Sequence, residues 1–334
     1  MISFIDMKLN GFYFYINKIQ MDSRTAIVSA GILITAVAAA VWMKNMQKNT
    51  FNDDKLLELG LNTPTIWIYV DDTDVNSRWW ADFGARSSRV YNLPFLNLCY
   101  QSIVNAAGDK YHVEVIGGLA DAERRLGGLP EPMRNKRLPL RDEEMTYLKV
   151  AFLEKFGGLW MGPSTIAIKK FPELPNDNVV LFGSDPLETY AGSNGTFLPN
   201  QHALWSPKAH HPFFVQWHAI LKERIERQAT GKEIRNDKNW DILFVGTGKQ
   251  NVIVMPHAEL TRKQTGRKIE LEDLLSTGQG GVLPFAIHPE TIYIPFPWPE
   301  LLERRIFGWF LRMSEEQILE SDIVVTHIFK TAGI

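Results

Sequence analysis

Asp71, Asp72 and Asp74 follow directly on an apolar run, residues 65 to 70. A hydrophobic strand leading into D-x-D can supply an aspartate nucleophile, a second acid and a Mg²⁺ site for phosphate-ester hydrolysis. The downstream Lys and acidic loop that this chemistry also needs are not evident. An Asp-rich turn that caps its own backbone explains the same letters more simply. His202, His210, His211 and His218 offer nitrogen ligands, but they lack H-E-x-x-H spacing and a cysteine partner. Surface and cap positions suit them better than a zinc site. Val245-Gly246-Thr247-Gly248-Lys249 sets glycines beside a lysine without the G-x-x-x-x-G-K-S/T spacing of a phosphate loop. Cys99 is the only cysteine, so no intramolecular disulfide can form; it lies in an apolar helical run as a small core residue.

The elements that would position such groups centre on residues 142 to 165. Met145, Leu148, Phe152 and Phe156 recur at helical spacing. Asp142 is placed to cap that helix, with Glu143 and Glu144 in the first turn where the dipole favours acids. Gly157 is expected to end the helix in a left-handed conformation, and Gly158 to turn the chain into a buried strand, Leu159-Trp160-Met161, that breaks at Gly162-Pro163. Upstream, the spacing predicts a strand over 65–70, a helix from Pro94 through Val104, and a strand over 111–116. Downstream come strands over 165–168, 179–183 and 323–329, a helix carrying Phe213, Trp217, Leu221 and Ile225, and, after the proline loop 295–299, a helix carrying Ile306, Phe307, Phe310 and Met313. Strand, helix, strand, helix, strand argues a mostly parallel α/β sheet. Residues just past the carboxyl ends of such strands lie where α/β sheets bind ligands.

Gly157-Gly158-Leu159-Trp160-Met161, together with Asn200 to Lys208 and His211-Pro212-Phe213, resembles the DXD-motif glycosyltransferases of the mannosyltransferase and capsular-polysaccharide-synthesis type. The resemblance spans roughly residues 64 to 330 and implies a GT-A-like fold, a nucleotide-sugar donor and a glycan or protein acceptor. The family's two metal-binding acids fall on Gly162 and Ser164, its Ser-Asp pair on Met145 and Thr146, and its Arg on Lys149. A Mn²⁺ or Mg²⁺ ion needs oxygen ligands, which glycine lacks and serine supplies only as a neutral hydroxyl. The resemblance further implies that Trp67 helps hold the nucleotide base, with a core tryptophan as the equal alternative, that Lys249 lies near the cleft where the family has proline, and that His327 sits where a histidine can meet the metal or diphosphate, with a plain edge-strand histidine as the alternative. Asp241 is the one acid offered as a catalytic base.

Length and composition fit a globular chain with room for one large α/β domain or two small ones: 334 residues, 45% apolar, 22% charged, net charge −2. The near-neutral balance points to no nucleic-acid partner. The one dense basic group is Arg124, Arg125, Arg134, Lys136, Arg137 and Arg141, read as a solvated loop, with a diphosphate or anionic surface as the sharper alternative. Ala26 to Met43 is uncharged and apolar over 18 residues. As a helix it spans roughly 27 Å, so a single-pass membrane anchor is expected there. It follows a leader over 1–25 and precedes a polar stem over 44–62; residues 63–334 form the glycosyltransferase-like domain. Basic residues balance across the span and leave its orientation open. Asn194-Gly195-Thr196 is a glycosylation sequon, usable only in a lumen.

Two functions stand side by side. One is a membrane-anchored glycosyltransferase that moves a hexose from a nucleotide sugar, with protein cations replacing the metal. The other is a catalytically inactive descendant of that fold that binds glycans or protein partners, or builds a membrane or virion assembly.

Overall fold

The computed structural model describes residues 63–70, 94–134, 140–186, 197–229, 251–278 and 280–334. The chain divides into two units, Met1–Gly60 and Leu61–Ile334, and every described residue belongs to the second.

Six strands make the central sheet among the described residues: β1 (Thr65–Val70), β2 (His112–Gly117), β3 (Gly158–Met161), β5 (Val179–Phe182), β8 (Leu204–Ser206) and β9 (Val252–Met255). Their order is β2-β1-β3-β8-β5-β9. β1 runs parallel to β2 and β3, and β5 parallel to β9, while β8 is antiparallel to both of its neighbours. The molecule is therefore an α/β fold with a mostly parallel sheet. Two smaller pairs flank it: β4 (Thr165–Ala167) with β10 (Tyr293–Pro295), and β6 (Ser184–Pro186) with β7 (Phe197–Pro199).

The inner strands are apolar throughout because both faces are covered, and alternate residues feed different cores. Ile66, Ile68 and Val70 enter one core with Leu159, Met161, Val180 and Phe182. Trp67 and Tyr69 enter the other with Trp160, Val179 and Leu181. That second face is covered by α3 (Asp142–Phe156) and α4 (Pro212–Ala229), which bury Leu148, Phe152, Phe213, Trp217, Leu221 and Ile225. α1 (Pro94–Ala107) covers the first face with Ile103, Ala106 and Ala107. Its opposite side, Phe95, Leu98 and Cys99, packs on the carboxyl-terminal segment. α2 (Gly118–Leu126) follows β2.

The central helix–glycine–strand stretch forms as expected, with differences in detail. Asp142 is the first helical residue, and the cap comes from Glu144, whose carboxylate accepts the Arg141 backbone N–H at 2.8 Å. Gly157 has φ 71° and ψ −165°, an extended conformation open essentially to glycine alone, so the chain passes from α3 into β3 without a left-handed cap. At Gly158 (φ +93°) an added Cβ would overlap the Thr65 carbonyl oxygen of β1. β4 leaves the main sheet for β10 because Gly162-Pro163 breaks the strand.

Three expectations are corrected. Residues 323–329 are not a strand; α8 (Val324–Thr331) is a helix, and its buried Val324, Val325, Ile328 and Phe329 follow helical spacing. A short β-branched run cannot separate the two periods by composition. The segment after the prolines is not one helix. It breaks into α6 (Trp298–Glu303) and two single turns, Arg305–Phe307 and Phe310–Arg312, with Arg304 extended and Ile306 exposed. α5 (Leu271–Leu274) and α7 (Glu315–Glu320) complete the described helices. The single-pass anchor is not found: no helix of the described residues is long and apolar enough to cross a membrane. Residues 26–43 themselves, the leader and the stem lie outside the described residues.

Candidate functional site

The carboxyl ends of β3 and β5 and the segment entering β8 meet at a polar cluster built around Glu259. β5 ends at Gly183, whose φ of +74° and bare Cα leave room for the Glu259 side chain; a Cβ there would overlap Glu259 Oε2. Gly183 N–H donates to the Met255 carbonyl at 2.9 Å, and the Gly183 carbonyl accepts Asn200 N–H at 3.1 Å. β5, β9 and the 200–203 segment are thereby tied together. The Glu259 side chain is fully buried. Both its oxygens are used: Oε2 accepts Asn200 Nδ2 at 2.6 Å, and Oε1 accepts His202 Nδ1 at 2.5 Å. A buried carboxylate persists only with such partners. The His202 side chain is 54% exposed. The buried Tyr293 hydroxyl has no hydrogen-bond partner among the described residues. Burial and the nearby Glu259 charge push it well above its usual range, so it stays a neutral phenol.

α3 grips the same segment from the other side. Thr146 and Lys149, one turn apart, both reach Gln201: Thr146 Oγ1 lies 3.3 Å from its side-chain oxygen, and Lys149 Nζ donates to its carbonyl at 2.7 Å. Burial lowers the Lys149 pKa to about 8, against the opposing pull of Asp142 and Glu259. The amine is therefore mostly charged near neutral pH and begins to lose that charge just above it.

Gly162 and Ser164 stand at the end of β3, one strand over. A Cβ at Gly162 would meet Thr165 Oγ1 at 3.5 Å, an ordinary contact, so packing does not demand glycine there. The Ser164 carbonyl accepts Phe296 N–H at 2.7 Å. Neither residue carries a charged oxygen, and no group of three or more His, Cys, Asp or Glu among the described residues could hold a metal ion. These positions do not fit the divalent cation that the resemblance implies.

Of the two readings of Trp67, nucleotide base or core, the structure shows the core: its indole N–H donates to the Gly157 carbonyl at 2.8 Å, and its ring packs on Phe152 and Phe156 at 5.4 and 5.3 Å. His327 is on α8, with Nε2 2.7 Å from Asp322 Oδ1, its ring packed under Gly278 and Gly281. Its recorded partners are there and not at Glu259. The four described members of the basic group are paired: Arg124 and Arg125 with Asp121, Arg125 also with Glu114, Arg134 with Glu123, and Arg141 with Glu144. Among the histidines, His210 pairs with Glu154 at 2.6 Å, and His218 Nδ1 lies 3.7 Å from the same carboxyl group. Cys99 is buried, and burial pushes its thiol up, as a core residue requires. Asp71 to Asp74, Asn194, Asp241 and Lys249 lie outside the described residues, as do Lys136 and Arg137.

Sequence reasoning missed Glu259, and weighed Asn200 and His202 only as part of a motif or as a zinc ligand. One signal was available: Glu259 is a lone acid between Ala258 and Leu260, and both neighbours are buried.

No family model matches the chain, and no curated protein matches it. Solved structures with partial likeness include the galactosyltransferase LgtC in complex with donor and acceptor sugar analogs. It is 14% identical with a TM-score of 0.37, covering 80% of this chain and 95% of that one. The glycosyltransferase GlyE of Streptococcus pneumoniae TIGR4 is 6% identical with a TM-score of 0.34, covering 81% and 60%. A glycosyltransferase involved in glycosylation of the major capsid of PBCV-1 is 9% identical with a TM-score of 0.33, covering 70% and 94%. Likenesses at this level fix neither family nor activity.

Proposed function

We propose that the chain is a glycosyltransferase-like protein that takes a nucleotide sugar at the carboxyl edge of its sheet and transfers the hexose to a glycan or protein acceptor. The observation that carries the reading is the buried Glu259, holding Asn200 and His202 beside Lys149 and Gln201. Three separate parts of the chain converge there, at the edge where α/β sheets take ligands. The order of the G-G-L-W, Asn200–Lys208 and H-P-F segments supports the same reading through resemblance. In such a reaction the protein supplies positioning and stabilises the charge of the departing diphosphate. Lys149 is our candidate for that role, with Lys249 a further one. Asp241 is proposed as the base that takes the acceptor proton.

Incubation with UDP-glucose, UDP-galactose, UDP-N-acetylglucosamine and GDP-mannose, followed by measurement of released nucleotide, tests the proposal. Release that Lys149→Met reduces by about tenfold or more is the expected result, the range for losing one stabilising charge near the leaving group. Absence of release from every donor would favour the inactive, ligand-binding alternative, to which the exchange of both metal-binding acids at Gly162 and Ser164 also points.

A further inference from the structure

Residues 261–269 form a tight hairpin that carries four cations in seven positions, Arg262, Lys263, Arg267 and Lys268. Lys263 N–H donates to the Arg267 carbonyl at 2.8 Å, and Gly266 N–H donates to the Lys263 carbonyl at 2.9 Å. Gly266 takes the left-handed φ of +81° that closes such a loop. Ile269 N–H reaches the Thr261 carbonyl at 2.8 Å. Buried Leu260, Ile269 and Leu271 hold the base of the hairpin in the core, and Gln264 to Lys268 at its tip are exposed. The pairing sets Arg262 opposite Lys268 and Lys263 opposite Arg267. Like charges directly opposite one another destabilise a strand pair, so folding alone does not call for these residues.

The hairpin borders an open cavity of about 370 Å³ lined by Lys263, Arg267, Lys268, Glu270 and Asp273. The two acids are fixed in place. Asp273 Oδ1 accepts Lys263 Nζ at 2.5 Å and its Oδ2 accepts the Glu270 N–H at 3.0 Å, while the Glu270 carboxylate accepts the Asp273 N–H. Arg262 donates to the Gly266 carbonyl at 3.0 Å. Among the described residues, the Arg267 and Lys268 side chains have no hydrogen bond or ion pair, and Asp273 senses Arg267 through its charge. We propose that this cavity takes an acidic sugar, its carboxylate on Arg267 and Lys268 and its hydroxyls on Glu270 and Asp273. The lining decides the class of ligand. Three cations against two acids leave a net charge of +1, which one carboxylate balances. The two acids repel a polyanion such as nucleic acid, and the lining has no apolar side chain to enter a lipid phase. A guanidinium fork matches a carboxylate, and the fixed acids keep acceptor positions for sugar hydroxyls. The volume lies at the small end of ligand sites. Arg262 is three residues from Glu259, roughly 11 Å of chain at most, so the hairpin springs from the edge of the polar cluster. The role of this sugar as acceptor rests on the nucleotide-sugar reading above; its binding rests on the hairpin and the cavity.

Calorimetric titration of the full chain with trigalacturonate, a hyaluronan tetrasaccharide and N-acetylneuraminyl-lactose tests this, each beside its methyl ester, which keeps the rings and removes the charge. Phosphatidylserine vesicles serve as the competing anionic surface. The expected result is binding of at least one acidic sugar, about tenfold or more tighter than its ester and weakening as salt rises. The double variant Arg267→Gln, Lys268→Gln should lose that binding by about tenfold or more, with a thermal midpoint equal to or above that of wild type, because the like-charge pairs are relieved. Should that variant fail to fold, the comparison of acid with ester on the wild-type chain still decides. Equal binding of acid and ester, or no binding of any acidic sugar, would overturn the proposal. So would capture by the vesicles, abolished in the double variant, with no acidic sugar bound. Acidic-sugar binding without nucleotide release from any donor would uphold the site and count against the transfer reading. Nucleotide release with no acidic-sugar binding would overturn the site and leave that reading standing.

Discussion

Lys149 and Gly158 show how much depends on single residues. Lys149 is a cation held where burial disfavours its charge, with a pKa near 8. For a base lowered in this way the fold disfavours the protonated form. The penalty is fully present below about pH 8 and is relieved as pH rises toward the ordinary lysine value. The same charge is what an anionic ligand needs, so stability and ligand affinity should respond to pH in opposite directions above neutrality. Gly158 has no such trade. With φ at +93° and the Thr65 carbonyl against its Cα, Gly158→Ala should cost about 3 kcal/mol or more, read in urea melts as a clear fall in the midpoint. A variant that melts within 1 kcal/mol of wild type, on the order of an ordinary surface change, would show that β1 can move aside.

At the scale of elements, the turn from α3 into β3 is held from outside by β1. Trp67 of β1 donates its indole N–H to the carbonyl of Gly157, the residue between the two elements. Trp67→Phe keeps most of the ring packing and leaves that buried carbonyl without its donor. The expected loss is about 1–3 kcal/mol, measured by denaturant unfolding. A tryptophan engaged mainly with a nucleotide would give the opposite pattern: unchanged stability and weakened UDP binding. α3 itself has two jobs. One side carries Leu148 and Phe152 into the core, and Thr146 and Lys149 hold the 200–203 segment. A helix that buries one face can hold a neighbouring segment with the other only because its neighbours fix its rotation, and Trp160, Phe213 and Trp217 supply that packing.

Across the whole domain, stability against acid should depend on the joint between α3 and α4. His218 of α4 packs on Tyr147 at 5.0 Å and faces Glu154, and its Nε2 is buried without a partner. Burial lowers its pKa, with Lys222 adding to the effect and Glu154 opposing it. The fold therefore prefers the neutral ring. That contribution is full above the ordinary value of 6.5 and is lost as pH falls below it. Urea midpoints at pH 5 and pH 7 should differ less in His218→Gln than in wild type. Equal differences in the two proteins would place the acid sensitivity elsewhere.

The sequence by itself determined the local units. Thr65–Val70 reads as a buried strand because β-branched and aromatic residues run without a polar break, and it is one. The apolar spacing of 145–156 and 213–225 reads as helices, and Gly157-Gly158 marks the turn between α3 and β3. That positions 162 and 164 carry glycine and serine, with no acid, is legible from the letters alone. Short apolar runs are where local reading fails: 323–329 has β-branched residues enough for a strand, and only its packing against α1 and α5 shows that the helical period wins. The site was decided by tertiary structure. Asn200 and His202 lie 59 and 57 residues from Glu259, and Lys149 lies 52 from Gln201. No spacing rule joins residues so far apart, because the chain between them is threaded through strands whose order in the sheet differs from their order in the sequence. A lone glutamate between two apolar residues means little in a string. It becomes the centre of a polar cluster once the sheet closes around it, with Asn200 and His202 as its hydrogen-bond partners among the described residues.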